Sequence, residues 1–234
     1  MGYPAVTING INMFEKYKAP LTELHSVQPP EPKTFFQDIP GGDGSLDVST
    51  VISGRPTYKR REITMKFHCE HPSNQWTTIM SEILKEFHGK EGKIIFEDDP
   101  DYYYLGRMTV SDYERAVKTG KFIITSNAEP YKYELLSSLE PWLWDPFNFI
   151  KGLIRNYGNM EVSGTKTLAI PGTERWVIPV FTTTGSVRVE HEGKSYDLKQ
   201  GKSKIYSIVI KPGNNVLKFS GNGKVSVEYR GGIL

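Results

Sequence analysis

The first group of chemically capable side chains is His68-Cys69-Glu70-His71, four residues that can each ligate a metal ion. On a strand His68 and Cys69 point to opposite faces, so the four meet on one ion only across a sharp bend. No second ligand pair with matching spacing occurs elsewhere. The expectation is a core Cys69 at the end of a strand that His71-Pro72 breaks. Three carboxylates, Asp98, Asp99 and Asp101, flank Pro100. Glycoside hydrolysis requires two carboxylates held across a cleft with one of them desolvated. Acids around a proline between strands are instead expected to form a solvated turn. Gly41-Gly42-Asp43-Gly44-Ser45 has the glycine content of a phosphate loop, without the Gly-Lys-Ser/Thr ending or the helix that follows one. No nucleophile-elbow motif frames a serine. Trp142, Trp144, Trp176 and the tyrosines could stack on sugars, but aromatics near a domain boundary also serve as core or interface. These residues assign no catalytic, cofactor-binding or metal site, and the chain is read as a non-enzyme.

The elements that hold these groups are mostly strands. Within Tyr58–Cys69, Ile63, Met65, Phe67 and Cys69 alternate with Glu62, Thr64, Lys66 and His68, which predicts one face on a core and one facing solvent or a neighbour. The period changes once. Trp76, Ile79, Met80, Ile83, Leu84 and Phe87 form a helical stripe, predicting a short amphipathic helix over 74–88 with Ser73 as N-cap and Gly89 at its stop. Strands are predicted at Lys93–Glu97, Tyr102–Tyr113 (broken near Gly106) and Lys121–Ser126, joined as an antiparallel meander by turns at Asp98–Asp101 and Lys118–Gly120.

Pro141 to Phe149 is too aromatic for a flexible linker and is expected to pack between two domains. Beyond it seven short strands are predicted: Thr167–Ile170, Trp176–Thr183, Ser186–His191, Ser195–Leu198, Ile205–Ile210, Val216–Phe219 and Lys224–Tyr229. Turns are expected at Glu192-Gly193, Pro212–Asn215 and Asn222-Gly223, the texture of a β-sandwich or jelly roll. The fold class is therefore mostly β with one short helix, in two domains, residues 1–139 and 140–234.

Composition narrows the function. A length of 234 residues allows two domains with their own cores, and 38% hydrophobic with 24% charged residues is ordinary for a globular chain. A formal net charge of +2 with scattered cations gives no case for sequence-specific nucleic acid or a membrane surface as partner. No run reaches the roughly eighteen apolar residues of a membrane span, and Met1–Pro20 lacks the apolar stretch of a signal peptide. One cysteine rules out an intrachain disulfide framework and suits synthesis in a cytoplasm.

The segment Pro40-Gly41-Gly42-Asp43-Gly44-Ser45-Leu46-Asp47, then Gly54-Arg55-Pro56-Thr57-Tyr58 and the long strand, resembles the siphophage distal tail protein family. So do the order strand, short helix, strand, acidic turn, the run Tyr103-Tyr104-Leu105-Gly106-Arg107, and the ending Tyr229-Arg230-Gly231-Gly232-Ile233-Leu234. The resemblance implies an N-terminal ring-forming β domain and a C-terminal galectin-like sandwich. It further implies a homohexameric ring at the tail tip, joined to the tail tube on one face and to tip or receptor-binding proteins on the other. It implies no cofactor, and a protein made in the bacterial host cytoplasm that works in the virion. A carbohydrate-binding module for host attachment and, after it, a tail-tip glycosidase are the alternatives.

Three glycines in four positions make a poor core segment, because glycine contributes no side chain and loses the most backbone entropy on ordering. The loop from Pro40 to Tyr58 is therefore expected at a subunit or tail-tube interface, with Asp43, Gly44, Arg55 and Tyr58 as its candidate contact residues.

Overall fold

The structure is a computed structural model describing residues 4–69, 71, 74–115, 119–139 and 157–234. Two compact units divide between Lys132 and Tyr133. The connector 141–149, the Ser73 cap and Lys118 of the predicted 118–120 turn lie outside the described residues.

The first unit contains β1 (Val6–Ile8), β2 (Ile11–Asn12), α1 (Met13–Tyr17), β3 (Ser26–Val27), β4 (Phe36–Asp38), β5 (Ser45–Asp47), β6 (Arg61–Cys69), α2 (Trp76–Phe87), β7 (Glu91–Phe96), β8 (Tyr102–Arg115) and β9 (Gly120–Ala128). In β6 the predicted alternation holds: Ile63, Met65, Phe67 and Cys69 are buried while Glu62 and Lys66 are exposed. Each such side chain taken from water contributes about 1.5–3 kcal/mol, which sets the strand's register. The meander β7-β8-β9 is antiparallel throughout, and seven strands follow one another in the order β2-β1-β7-β8-β9-β6-β3. Strand β8 runs unbroken through Gly106; its irregularity is a bulge between Ser111 and Glu114, where Asp112 has φ 47°.

Helix α2 buries Trp76, Met80, Ile83 and Phe87 at steps of four, three and four residues. Leu84 is exposed, so the apolar stripe is narrower than the spacing suggested. Gln75 occupies the N-cap without a side-chain hydrogen bond, and Gly89 follows the last turn at φ 75°. A second, five-residue helix, α1, goes beyond the one predicted. Asn12 Oδ1 caps it by accepting from the amides of Phe14 and Glu15 at 3.0 and 3.1 Å. No helix among the described residues is long and apolar enough to cross a membrane.

Strand β10 (Lys132–Glu134) spans the division between the units. The second unit has β11 (Met160–Gly172), β12 (Val180–His191), β13 (Lys194–Leu198), β14 (Gly201–Lys204), β15 (Gly213–Glu228) and β16 (Gly232–Ile233). Strands β11-β15-β12-β13 lie in that order in one antiparallel sheet, with β14 also paired to β12. Here the segmentation differs from expectation. Ser186–His191 is the end of β12, and Val216–Phe219 and Lys224–Glu228 are one strand, β15. Ile205–Ile210 contributes only a bridge from Ile210 to Val177.

The reason is a row of glycines, including Gly223 of the expected Asn222-Gly223 turn, that are bends inside paired strands. Gly164 lies opposite Gly221, and Gly223 opposite Gly185, with Gly164, Gly185, Gly221 and Gly223 all at positive φ. On both sides of that row the same side-chain parity points inward. Val162 and Ile170, Phe181 and Val187, Phe219 and Val225 all enter one core cluster. A single sheet thus folds over on itself to bury an apolar interior. Glu192-Gly193 forms the hairpin its dipeptide chemistry predicted. Residues 213–215 of β15, by contrast, already pair with residues 170–172 of β11, and the predicted Pro212–Asn215 turn narrows to a bend at Pro212. Buried Asn215 holds that bend by accepting from the Lys211 amide and donating to its carbonyl, at 2.9 and 2.7 Å.

Candidate assembly interface

Between β3 and β6 the chain leaves the core of the first unit as a two-legged arm. Its base is paired by Lys59 N–H to Glu31 O and Lys33 N–H to Thr57 O, each at 2.8 Å. Val48 N–H to Phe35 O at 2.9 Å continues the pairing into the β4–β5 hairpin. The turn closes with Gly42 N–H donating to Ile39 O, and Gly41 and Gly44 take φ of 76° and 77°, a conformation costly for other residues.

The hairpin has two unlike faces. Phe36 lies opposite Asp47 and Asp38 opposite Ser45, so these four side chains share one face. Phe35, Gln37 and Leu46 take the other, with Ile39 at the turn. Phe35 is 60% exposed, Leu46 55% and Ile39 50%; Val51 and Ile52 stand free on the returning leg. A two-stranded hairpin is marginal in water alone, and a contiguous exposed apolar face marks an interaction surface. From Thr34 to Gly54 the only charged residues are Asp38, Asp43 and Asp47. The Ser49 hydroxyl and amide hold the Asp47 carboxyl below the usual carboxylate range. The arm is therefore acidic on one face and apolar on the other.

The four candidate contact residues separate into two places. Asp43 and Gly44 sit exposed at the tip. Arg55 and Tyr58 are half-buried at the root, where both meet Tyr131: Arg55 Nη1 donates to its hydroxyl at 3.2 Å, and the Tyr58 ring packs edge-on at 6.1 Å. Arg55 is thus engaged within its own unit. What the sequence reading missed is the apolar face. Its signal was present in Phe35-Gln37-Ile39, a period-two pattern in a segment with no core to cover it.

The other chemical candidates resolve into local structure. Cys69 is buried, and its thiol and His71 Nε2–H both donate to the Tyr17 carbonyl, at 3.1 and 2.9 Å. Asp99 pairs with Lys132 at 2.5 Å, and Asp98 lies 3.9 Å from His25 Nε2. Asp99 N–H to Phe96 O at 3.0 Å confirms the turn after β7. The ring of His25 is stacked on Phe96 at 3.6 Å; burial pushes its pKa down against the opposing pull of Asp98 and Asp99.

The described residues form a mostly β chain in two units, with an exposed hairpin arm in the first. Residues 12–125 match the family model for the phage tail protein RIFT-related domain, a stretch that takes in the arm, β6, α2, β7, β8 and the first part of β9. The crystal structure of the phage SPP1 Dit protein, described as a paradigm of the hub adsorption apparatus in phages infecting Gram-positive bacteria, is similar over 97% of this chain and 98% of its own. The TM-score is 0.59 and the identity 12%. No curated protein matches the chain by sequence. Residues 12–125 are thus similar to the phage tail protein family, and the fold of the chain is that of a siphophage distal tail protein. The matched family is one of phage tail proteins.

Proposed function

We propose that the chain is the subunit of a six-membered ring at the distal end of a siphophage tail. One ring face joins the tail tube and the other joins the tip or receptor-binding proteins. Residues 1–139 form the ring, and residues 140–234 form a galectin-like domain that serves as a platform. The protein is made in the host cytoplasm, carries no catalytic residue, and acts by contact alone. The observation that carries this reading is the arm, whose exposed Phe35, Ile39 and Leu46 are stabilised only when a neighbour covers them. Asp43 and Gly44 at its tip reach the neighbour, while Arg55 and Tyr58 set its angle at the root. A closed ring repeats one heterologous contact, so a single protruding element suffices to build it. Native mass spectrometry and negative-stain images of the purified protein, alone and with its cognate tip protein, should show closed six-fold rings. Phe35→Ser/Leu46→Ser should lose them with the monomer's melting temperature retained. Persistent monomers of the wild-type chain under both conditions would remove the reading.

A further inference from the structure

The second unit carries a charge imbalance along one edge of its sheet. Its carboxylates there are engaged: Asp197 by Arg188 and Glu192 by Lys211, each at 2.7 Å, and Glu190 by Lys218 at 4.0 Å. Lys199, Lys202 and Lys204 are exposed, and among the described residues no carboxylate lies within ion-pair reach of them. Lys202 pairs with Thr182 and Lys204 with Val180, flanking Ser203 opposite buried Phe181. The two lysines therefore point outward from β14 on one face, about 7 Å apart as alternate residues of a strand. Beside them Tyr206 is 74% exposed with the Lys204 ammonium 5.6 Å from its ring centre.

The polar face of the arm matches this edge. Asp38 and Asp47 are diagonal neighbours across the hairpin, about 7–8 Å apart, with exposed Phe36 on the same face. Each surface thus presents two like charges at nearly one spacing beside one aromatic ring, with opposite sign. The arm has no cation between Thr34 and Gly54 to neutralise its own acids. Resting on the ring-subunit reading, we propose that, added to the contacts residues 1–139 make in the ring, the Phe36/Asp38/Asp47 face of one copy docks on the Lys202/Lys204/Tyr206 edge of a second copy. The apolar face of the arm is left for a separate contact.

The test is a charge swap read by sedimentation velocity and native mass spectrometry of the full chain at low and high salt. Lys202→Glu/Lys204→Glu should raise the concentration needed for assembly about tenfold or more, as should Asp38→Lys/Asp47→Lys. A chain carrying all four substitutions should regain assembly, which loss of folding cannot explain. Wild-type assembly should weaken with rising salt as exposed pairs are screened. If the wild type forms rings and the lysine variant forms them equally well, this contact is overturned while the ring stands. If the lysine variant instead loses binding to long-chain polyphosphate with assembly unchanged, the edge serves a polyanion and the contact is likewise overturned. A wild-type chain that never assembles, alone or with its tip protein, removes both.

Discussion

The indole of Trp76 lies directly over the α-carbon of Gly120. A Cβ built on that glycine would fall 1.3 Å from Trp76 Cζ2 and 1.9 Å from Cε2. The first residue of β9 must therefore be glycine for the first residue of α2 to lie flat on the sheet. Trp76 is 1% exposed and has no room to retreat. Gly120→Ala should cost about 1–3 kcal/mol through overpacking, measured by chemical denaturation. Adding Trp76→Leu should recover part of that loss. An alanine variant as stable as wild type would show that the helix can slide.

Cys69 stands opposite Gly120 in the β6–β9 register and shares the same buried floor. Its thiol donates to the Tyr17 carbonyl, so serine can keep the donor but packs a smaller, more polar atom in an apolar site. Cys69→Ser should destabilise by about 1–2 kcal/mol. The native thiol should resist alkylation until the protein unfolds, and zinc should leave the melting temperature unchanged. A stoichiometric bound metal in elemental analysis would overturn this account of the cysteine.

His25 should make stability depend on pH. Burial depresses its pKa in the folded protein, so the unfolded chain binds the proton more readily. The contribution is complete above the ordinary value of about 6.5 and is lost as the pH falls below it. Denaturation curves from pH 8 to pH 5 should show this loss, and His25→Gln should flatten the slope over that window. An unchanged slope in the variant would assign the dependence to other groups.

The glycine row in the second unit predicts a further vulnerability. Gly221 has φ 118°, and a Cβ on it would approach the Ser186 carbonyl oxygen to 2.2 Å. Gly221→Ala combines backbone strain with a clash against a paired strand and should cost about 2 kcal/mol or more. Gly193→Ala, in an open hairpin turn with nothing within 4 Å of its Cβ position, should cost less because only φ strain acts. Equal effects at both sites would argue that the sheet does not fold tightly at Gly221.

Periodic burial made much of the first unit legible before any coordinates. Ile63-Met65-Phe67-Cys69 and Trp76-Met80-Ile83-Phe87 carry their pattern in residue types, and only one strand face and one helix stripe satisfy them. The acidic turn at Asp98–Asp101 and the Glu192-Gly193 hairpin are likewise local, because a few residues hold all the turn chemistry. Asn222-Gly223 has the same local chemistry as a hairpin turn, yet β15 bends there and stays paired. Its neighbours Gly185 and Thr184 on β12 continue the ladder on the far side, and that partner strand is remote in sequence. The arm follows the same logic. Its glycines advertise a turn, but the pairing of Phe36 with Asp47, and the absence among the described residues of any element of its own unit over Phe35 and Leu46, arise only once the sheet has closed without them. Local torsional preference settles what a segment can do, and long-range pairing decides which of those options is stabilised.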